Sequence, residues 1–75
     1  MRYFIGIDVA KFKHTACVID TDGIALVEPF DFTNDIIGFQ SLLKNIKPFL
    51  KKKHLVGMED TGHYGDNLRN FLLEK

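Results

Sequence analysis

The segment from Tyr3 to Asp8, Tyr-Phe-Ile-Gly-Ile-Asp, is an apolar run that ends on a carboxylate. Such a run without polar alternation is typical of a strand buried on both faces, since a half-buried strand alternates polar and apolar side chains. We therefore expect a central strand of a sheet that places Asp8 where the chain leaves the core. The alternative interpretation of this segment is a solvated Asp8 that closes the strand and opens a turn.

Length, composition and charge limit the class of protein. A chain of 75 residues is one small domain or part of a larger one, and it buries only about 60% of its unfolded surface. Its 45% of hydrophobic residues are too many for a disordered protein. Ten basic and ten acidic residues cancel, so no global positive field attracts nucleic acid or a membrane. The single cysteine, Cys17, and the lack of a leader or long apolar run predict a cytoplasmic protein with no membrane contact.

The next part of the chain predicts two further strands joined by a hairpin. His14 to Asp20 is an apolar run in which we expect Cys17 to be a small core residue. Thr21-Asp22-Gly23 follows, and Asp-Gly is a strong hairpin signal because glycine accepts the positive φ of a tight turn. The third strand runs from Ile24 to about Phe32. Because Pro29 lacks an N–H group, that strand is expected at an edge of the sheet, and strands one to three form an antiparallel meander.

An amphipathic helix is predicted after the meander. Thr33 or Asn34 can cap it, and Pro48 is expected to end or kink it. Its apolar residues recur at three- and four-residue spacing, which places them on one face. They are Ile36, Phe39, Leu42, Leu43 and Ile46.

A fourth strand and a second helix complete the predicted elements. His54 to Met58 is a short apolar run that ends on Glu59. The strand–helix–strand pattern predicts that this strand pairs parallel to the first one. The last helix is expected to begin at about Gly62, with Thr61 as its cap. Its apolar face would carry Tyr64, Leu68, Phe71 and Leu72.

Two of the predicted strands end on carboxylates, Asp8 and Glu59. If the two strands are parallel neighbours, the acids lie roughly 5 Å apart at one edge of the sheet. Two carboxylates that close repel each other unless a proton or cation lies between them, and Mg²⁺ or Mn²⁺ suits a few hard oxygen ligands. Two such ions about 3.5–4 Å apart support phosphodiester chemistry. Strand-end acids are also common without any function, so the pairing by itself leaves both interpretations open.

Three strings of the sequence carry a resemblance to a known family. They are Ile5-Gly6-Ile7-Asp8-Val9-Ala10-Lys11, His14-Thr15-Ala16-Cys17-Val18-Ile19-Asp20 and Val56-Gly57-Met58-Glu59-Asp60-Thr61-Gly62-His63-Tyr64. In order and spacing, with Asn34 and Gly38-Phe39 between them, they resemble the N-terminal catalytic domain of the IS110-family transposases. The resemblance implies an RNase H-like, RuvC-type α/β fold. It also implies that Asp8 and Glu59 are the first two acids of a D-E-D-D tetrad that binds Mg²⁺ or Mn²⁺ for DNA cleavage and strand transfer.

The resemblance has consequences for the extent of the protein and for its partners. Residues 1–75 would be the N-terminal portion of the catalytic domain, with two further aspartates and a second domain with a nucleophilic serine beyond Lys75, so this chain alone would be inactive. The implied partners are DNA, at insertion-sequence ends and target, a guide RNA, and further copies of the chain in a homo-oligomer. Asp60 stands where the family has a small residue, and strand alternation predicts that it points away from the site.

Three histidine and lysine side chains have two interpretations each. His63 could touch a phosphate or pack locally, and Lys13 and His14 could approach a DNA backbone or simply be exposed. We expect local packing or solvent for His63, and exposure for Lys13 and His14.

Two other functions compete with the transposase. Actin-like sugar kinases also begin with Ile-Gly-Ile-Asp and a meander, but they need a glycine-rich turn for ATP phosphates, and the turn Val9-Ala10-Lys11-Phe12 has no glycine. The third possibility is a non-catalytic fragment that acts in oligomerisation, because the exposed edge of an incomplete sheet pairs readily with another chain.

Overall fold

A mixed sheet and two helices make up the part of the chain that the computed structural model describes, namely residues 2–60, 62 and 64–73. The elements in chain order are β1 (Tyr3–Asp8), β2 (Lys13–Asp20), β3 (Ala25–Thr33), α1 (Ile36–Leu50), β4 (His54–Glu59) and α2 (Asp66–Leu73). The strand order is β3-β2-β1-β4, with β1 parallel to β4 and the other pairs antiparallel. The predicted meander, the edge position of β3 and the parallel pair are confirmed. This small α/β arrangement is compatible with an RNase H-like fold.

Both helices contribute to one core on one face of the sheet. The sheet supplies isoleucine, valine, alanine and phenylalanine side chains, and the helices supply leucine, isoleucine and phenylalanine. The buried members are Ile5, Ile7, Val9, Ala16, Val18, Phe32, Phe39, Leu42, Ile46 and Leu68. The two helices also contact each other, because the ring centroids of Phe39 in α1 and Phe71 in α2 lie 5.4 Å apart.

The prediction that the first strand is buried on both faces is wrong. Ile5 is completely buried, but Phe4 on the opposite face is 42% exposed and Asp8 is exposed as well. The reason is that the described helices pack on the face of Ile5, which leaves the other face of the sheet open. Cys17 lies opposite Gly6 on this open face and is only partly buried, so it is not the core residue that we expected.

The hairpin between β2 and β3 forms as predicted. Gly23 has a φ of 81°, which is the left-handed region that the turn requires. The Asp20 carboxylate accepts hydrogen bonds from the N–H groups of Asp22 and Ile24, at 2.9 and 3.0 Å. The turn is therefore fixed by an acid at the end of β2 as well as by the glycine.

The start of α1 differs from the prediction. The N-cap is Asp35, not Thr33 or Asn34, because its carboxylate accepts the Gly38 N–H at 2.8 Å and the Thr33 hydroxyl at 2.7 Å. Ile36 is 56% exposed and does not belong to the buried face. At 100° per residue it lies about 90° around the helix from the centre of that face.

The end of α1 also differs, because the helix does not end at Pro48 but continues to Leu50. A proline this close to the C-terminus costs only one backbone hydrogen bond. Packing after the proline offsets that loss, since the rings of Phe49 and Tyr3 lie 5.2 Å apart.

The second helix begins at Asp66 rather than at Gly62, and the predicted cap Thr61 lies outside the described residues. Tyr64 precedes the helix and is exposed, whereas Leu68 is completely buried. Neither described helix is long and apolar enough to cross a membrane.

Candidate metal centre

Asp8 and Glu59 are the last residues of β1 and β4 and lie directly opposite each other in the parallel register. Neighbouring strands are roughly 5 Å apart, and opposite residues project from the same face of the sheet. The Val9 N–H donates a 2.9 Å hydrogen bond to the Glu59 carbonyl, so the ladder extends to the acids themselves. Both side chains are exposed on the open face. The structure thus brings together the two acids that the sequence analysis singled out.

An open groove runs along the sheet from the two acids. Its volume is about 490 Å³, and its lining includes Phe4, Gly6, Thr15 and Gly57. Gly6 and Gly57 are opposite each other in register, and the Phe4 ring lies over them: a Cβ on Gly57 would be only 2.6 Å from Phe4 Cζ. Where Gly6 and Gly57 face each other, the groove floor is therefore formed by backbone and the Phe4 ring.

The two carboxylates carry charge that no neighbour in the described part of the chain balances. Among the residues that the structure describes, neither Asp8 nor Glu59 forms an ion pair or a side-chain hydrogen bond. Asp31 on β3 shows the contrast, because its carboxylate accepts the Thr15 hydroxyl at 2.7 Å and lies 3.3 Å from Lys13 Nζ. The Thr15 hydrogen bond, and then Lys13, lower the pKa of Asp31 below its ordinary value.

Asp8 and Glu59 provide some of the ligands that a hard divalent cation needs. Two exposed carboxylates with free oxygen lone pairs are the ligands that Mg²⁺ or Mn²⁺ accepts alongside water and phosphate oxygens. Within residues 2–60, 62 and 64–73, no third histidine, cysteine, aspartate or glutamate joins them in a metal-sized cluster. Asp8 and Glu59 could therefore hold an ion only together with ligands from elsewhere.

Asp60 follows Glu59 directly and serves the loop, not the groove. Its side chain is 8% exposed and accepts the N–H groups of Tyr64 and Gly65 at 2.8 and 2.7 Å, with Arg69 Nη2 at 3.9 Å. These contacts place it on the side of the sheet that α2 covers, as strand alternation predicts. They also explain why α2 begins late, since the loop backbone is bound to Asp60 before Asp66.

His14 is completely buried, so the expectation that it is exposed is wrong. It lies on the covered face, with its ring centroid 5.2 Å from that of Phe32 and 6.4 Å from that of Phe39. Its Nδ1 accepts the Ala10 N–H at 3.2 Å, while Nε2 is buried and has no hydrogen-bond partner among the residues that the structure describes. His14 thus holds the loop after Asp8 and cannot reach DNA. Lys13 is exposed as expected, and His63 lies outside the described residues.

Asn34 contacts the loops that follow the two acids, and the sequence analysis assigned it a different role, as a possible helix cap. Its carboxamide Nδ2 donates to the Lys11 carbonyl at 3.0 Å and to the Tyr64 carbonyl at 3.5 Å, and its N–H donates to the Phe12 carbonyl at 3.1 Å. The sequence analysis interpreted Asn34 as a possible N-cap because asparagine is common at that position of a helix. No local pattern could have indicated contacts to two loops that are distant in sequence.

Comparison with known proteins gives one family. A family model of the IS110-type DEDD transposases, described as a transposase, matches residues 5–75. A search of curated proteins found no match. The matched range contains both acids, Asn34 and the residues that line the groove apart from Phe4.

Proposed function

Because the chain belongs to the IS110 family of DEDD transposases, we propose that it is the N-terminal part of a transposase catalytic domain in which Asp8 and Glu59 bind a divalent cation. Family membership implies a protein that acts on DNA as a nuclease or recombinase. The observation that supports the metal role is the parallel register of β1 and β4, which sets two unbalanced carboxylates side by side. In the proposed function these acids serve DNA strand cleavage and transfer.

The two acids would contribute ligands and orientation. When bound, Mg²⁺ or Mn²⁺ supplies Lewis-acid activation of a water or hydroxyl and neutralises charge on phosphate oxygens. Asp8 and Glu59 would fix the cation at the end of the groove, because both are anchored at the last rungs of one backbone ladder. The other two acids of the tetrad are proposed to come from outside residues 1–75.

The partners follow from the same proposal. They are the DNA of insertion-sequence ends and target sites, a guide RNA, and further copies of the chain, in a cytoplasmic setting. The neutral charge of the chain means that DNA affinity has to come from local contacts or from other parts of the protein.

Two observations bear on the competing functions. The kinase alternative needs free backbone N–H groups after Asp8, but the Ala10 N–H is bound to His14 and the turn has no glycine. The oligomerisation alternative is favoured by β4, an edge strand on which Leu55 and Val56 are exposed. We retain it as the second candidate function.

Paramagnetic NMR with Mn²⁺ tests the proposed metal role. Titration of the 75-residue protein should broaden the amide signals of Val9 and Gly57 and leave that of Gly23, in the distant hairpin, sharp. Asp8→Asn and Glu59→Gln should abolish the broadening, and Glu28→Gln, which removes an exposed acid of β3, should not. Unchanged broadening in both site variants would contradict the proposed site.

A further inference from the structure

We infer that Asn34 is a positioning residue that ties together the two loops that follow Asp8 and Glu59. The inference rests on the proposed function, because it concerns how the separation of the two acids is held. It assigns to a residue outside the acid pair a role that neither the sequence nor the family match identifies.

The contacts of Asn34 reach both loops from one side chain. Its Nδ2 donates to Lys11, in the loop after Asp8, and to Tyr64, in the loop after Glu59, at 3.0 and 3.5 Å. Two carbonyl acceptors fix the orientation of the carboxamide, since only its nitrogen can donate. Its oxygen is consequently buried without a partner among the described residues.

Asn34 is itself held on a rigid support. The next residue, Asp35, caps α1 by accepting the Gly38 N–H, and its carboxylate also binds the Thr33 hydroxyl. The Asn34 N–H is bound to the Phe12 carbonyl at 3.1 Å. The bridge therefore connects both loops to the junction of β3 and α1.

The position of the bridge gives it a function. The ladder between β1 and β4 ends at the hydrogen bond from Val9 to Glu59, and beyond it the two chains separate into their loops. Two like charges at this end push the strands apart unless a cation lies between them. Among the described contacts, Asn34 provides the link between the loops beyond the last rung. It thereby opposes the separation of the acids and preorganises them for an ion.

The test uses Asn34→Ala and Asn34→Asp, with Asn45→Ala as the matched control. Asn34→Asp keeps the size of the side chain and removes the donor, so loss of shape and loss of the donor can be distinguished. Asn45 lies within α1, and its Nδ2 also donates to a backbone carbonyl, that of Ser41, at 2.8 Å. Unlike Asn34, Asn45 is exposed, and this hydrogen bond stays within α1. Each protein is measured by amide hydrogen exchange without metal and by Mn²⁺ binding.

In both Asn34 variants the Val9 amide should exchange about tenfold faster, because opening of the last rung costs less once the bridge is lost. The dissociation constant for Mn²⁺ should rise about tenfold or more, the usual effect of removing a residue that orients metal ligands. Asn45→Ala should match the wild type in both measurements. Exchange at Val9 as slow as in the wild type would overturn the inference. Where Mn²⁺ binding depends on Asp8, faster exchange with unchanged Mn²⁺ affinity would overturn it too.

Failure of the proposed function would look different. If Mn²⁺ does not bind the wild type, or binds Asp8→Asn equally well, the metal role of the acids is wrong. The exchange data then decide alone whether Asn34 joins the two loops: equal rates at Val9 overturn the bridge, and faster rates in both Asn34 variants support it.

Discussion

Gly38 lies in the first turn of α1 against the backbone of Thr33. A Cβ at this position would overlap the carbonyl oxygen of Thr33 and would lie 2.6 Å from the backbone nitrogen of Thr33. Backbone atoms that also frame the Asp35 cap cannot move aside at low cost. Absence of a side chain is therefore a packing requirement at this residue.

Gly38→Ala should lower the free energy of unfolding by about 2–3 kcal/mol, the upper part of the usual range for overpacking. Gly6→Ala is the control, because its Cβ would meet the Phe4 ring and Cys17 Sγ at 3.5 and 3.6 Å, which is ordinary contact. That variant should change the unfolding free energy by less than about 1 kcal/mol. Urea denaturation of both variants measures the difference, and equal effects would show that the contact with Thr33 is not tight.

At the scale of the elements, the N-terminus of α1 depends on one carboxylate. Asp35 accepts the Gly38 N–H and the Thr33 hydroxyl, and these two hydrogen bonds, the first being the larger cause, lower the pKa of Asp35 below its ordinary value of 3.8. A lowered pKa means that the ionised form stabilises the folded state. This contribution is fully present above the ordinary pKa and is lost as the pH falls through the folded-state value.

Asp35→Ala should lower the Tm by about 5 °C at pH 7, since an N-cap is lost from a small domain. The difference from the wild type should shrink below about pH 3.8, as the wild-type carboxyl becomes protonated. Asp35→Asn keeps a cap acceptor and should retain most of the wild-type Tm at pH 7. Thermal melts across this pH range check the expectation; a difference that stays constant down to pH 2 would contradict it.

The order and pairing of the elements could be predicted from the sequence because the signals are local and independent. Asp22-Gly23 predicted the hairpin, and Pro29 predicted the edge strand. The strand–helix–strand pattern predicted the parallel pair that aligns Asp8 with Glu59. Each prediction needed only periodicity or backbone chemistry.

The faces of the strands could not be predicted in the same way. In β2 both alternating sets of side chains contain apolar residues, so the sequence does not tell whether His14 or Cys17 faces the core. The answer depends on which face the helices cover, and that is a property of the tertiary structure. The late start of α2 and the contacts of Asn34 depend in the same way on loops that meet only in the folded chain.

At the scale of the whole molecule, the open face of the sheet carries the two acids of the proposed site. Phe4 and Leu55 are exposed on the face that carries Asp8 and Glu59, and no third ligand joins the acids in the described part of the chain. The proposed site therefore has a floor and two ligands, with the other ligands supplied from elsewhere.

The 75-residue protein alone should neither cleave nor join DNA in Mg²⁺ or Mn²⁺, because two carboxylates do not fix the ions that phosphodiester chemistry requires. Incubation of the purified protein with supercoiled and linear DNA checks this expectation. Cleavage that is lost on Asp8→Asn would mean that the site is more complete than we propose.

The central claim is that Asp8 and Glu59 form one cation site, and thermal melts with and without Mn²⁺ test it most directly. Without metal at low ionic strength, Asp8→Asn and Glu59→Gln should each raise the Tm by about 2–4 °C, since each removes the repulsion between neighbouring carboxylates. Mn²⁺ at about 10 times its dissociation constant should stabilise the wild type by about 1.4 kcal/mol and leave both variants unchanged. Glu28→Gln should behave as the wild type does. If both site variants keep the full Mn²⁺ response and gain no stability without metal, the two carboxylates do not form a site.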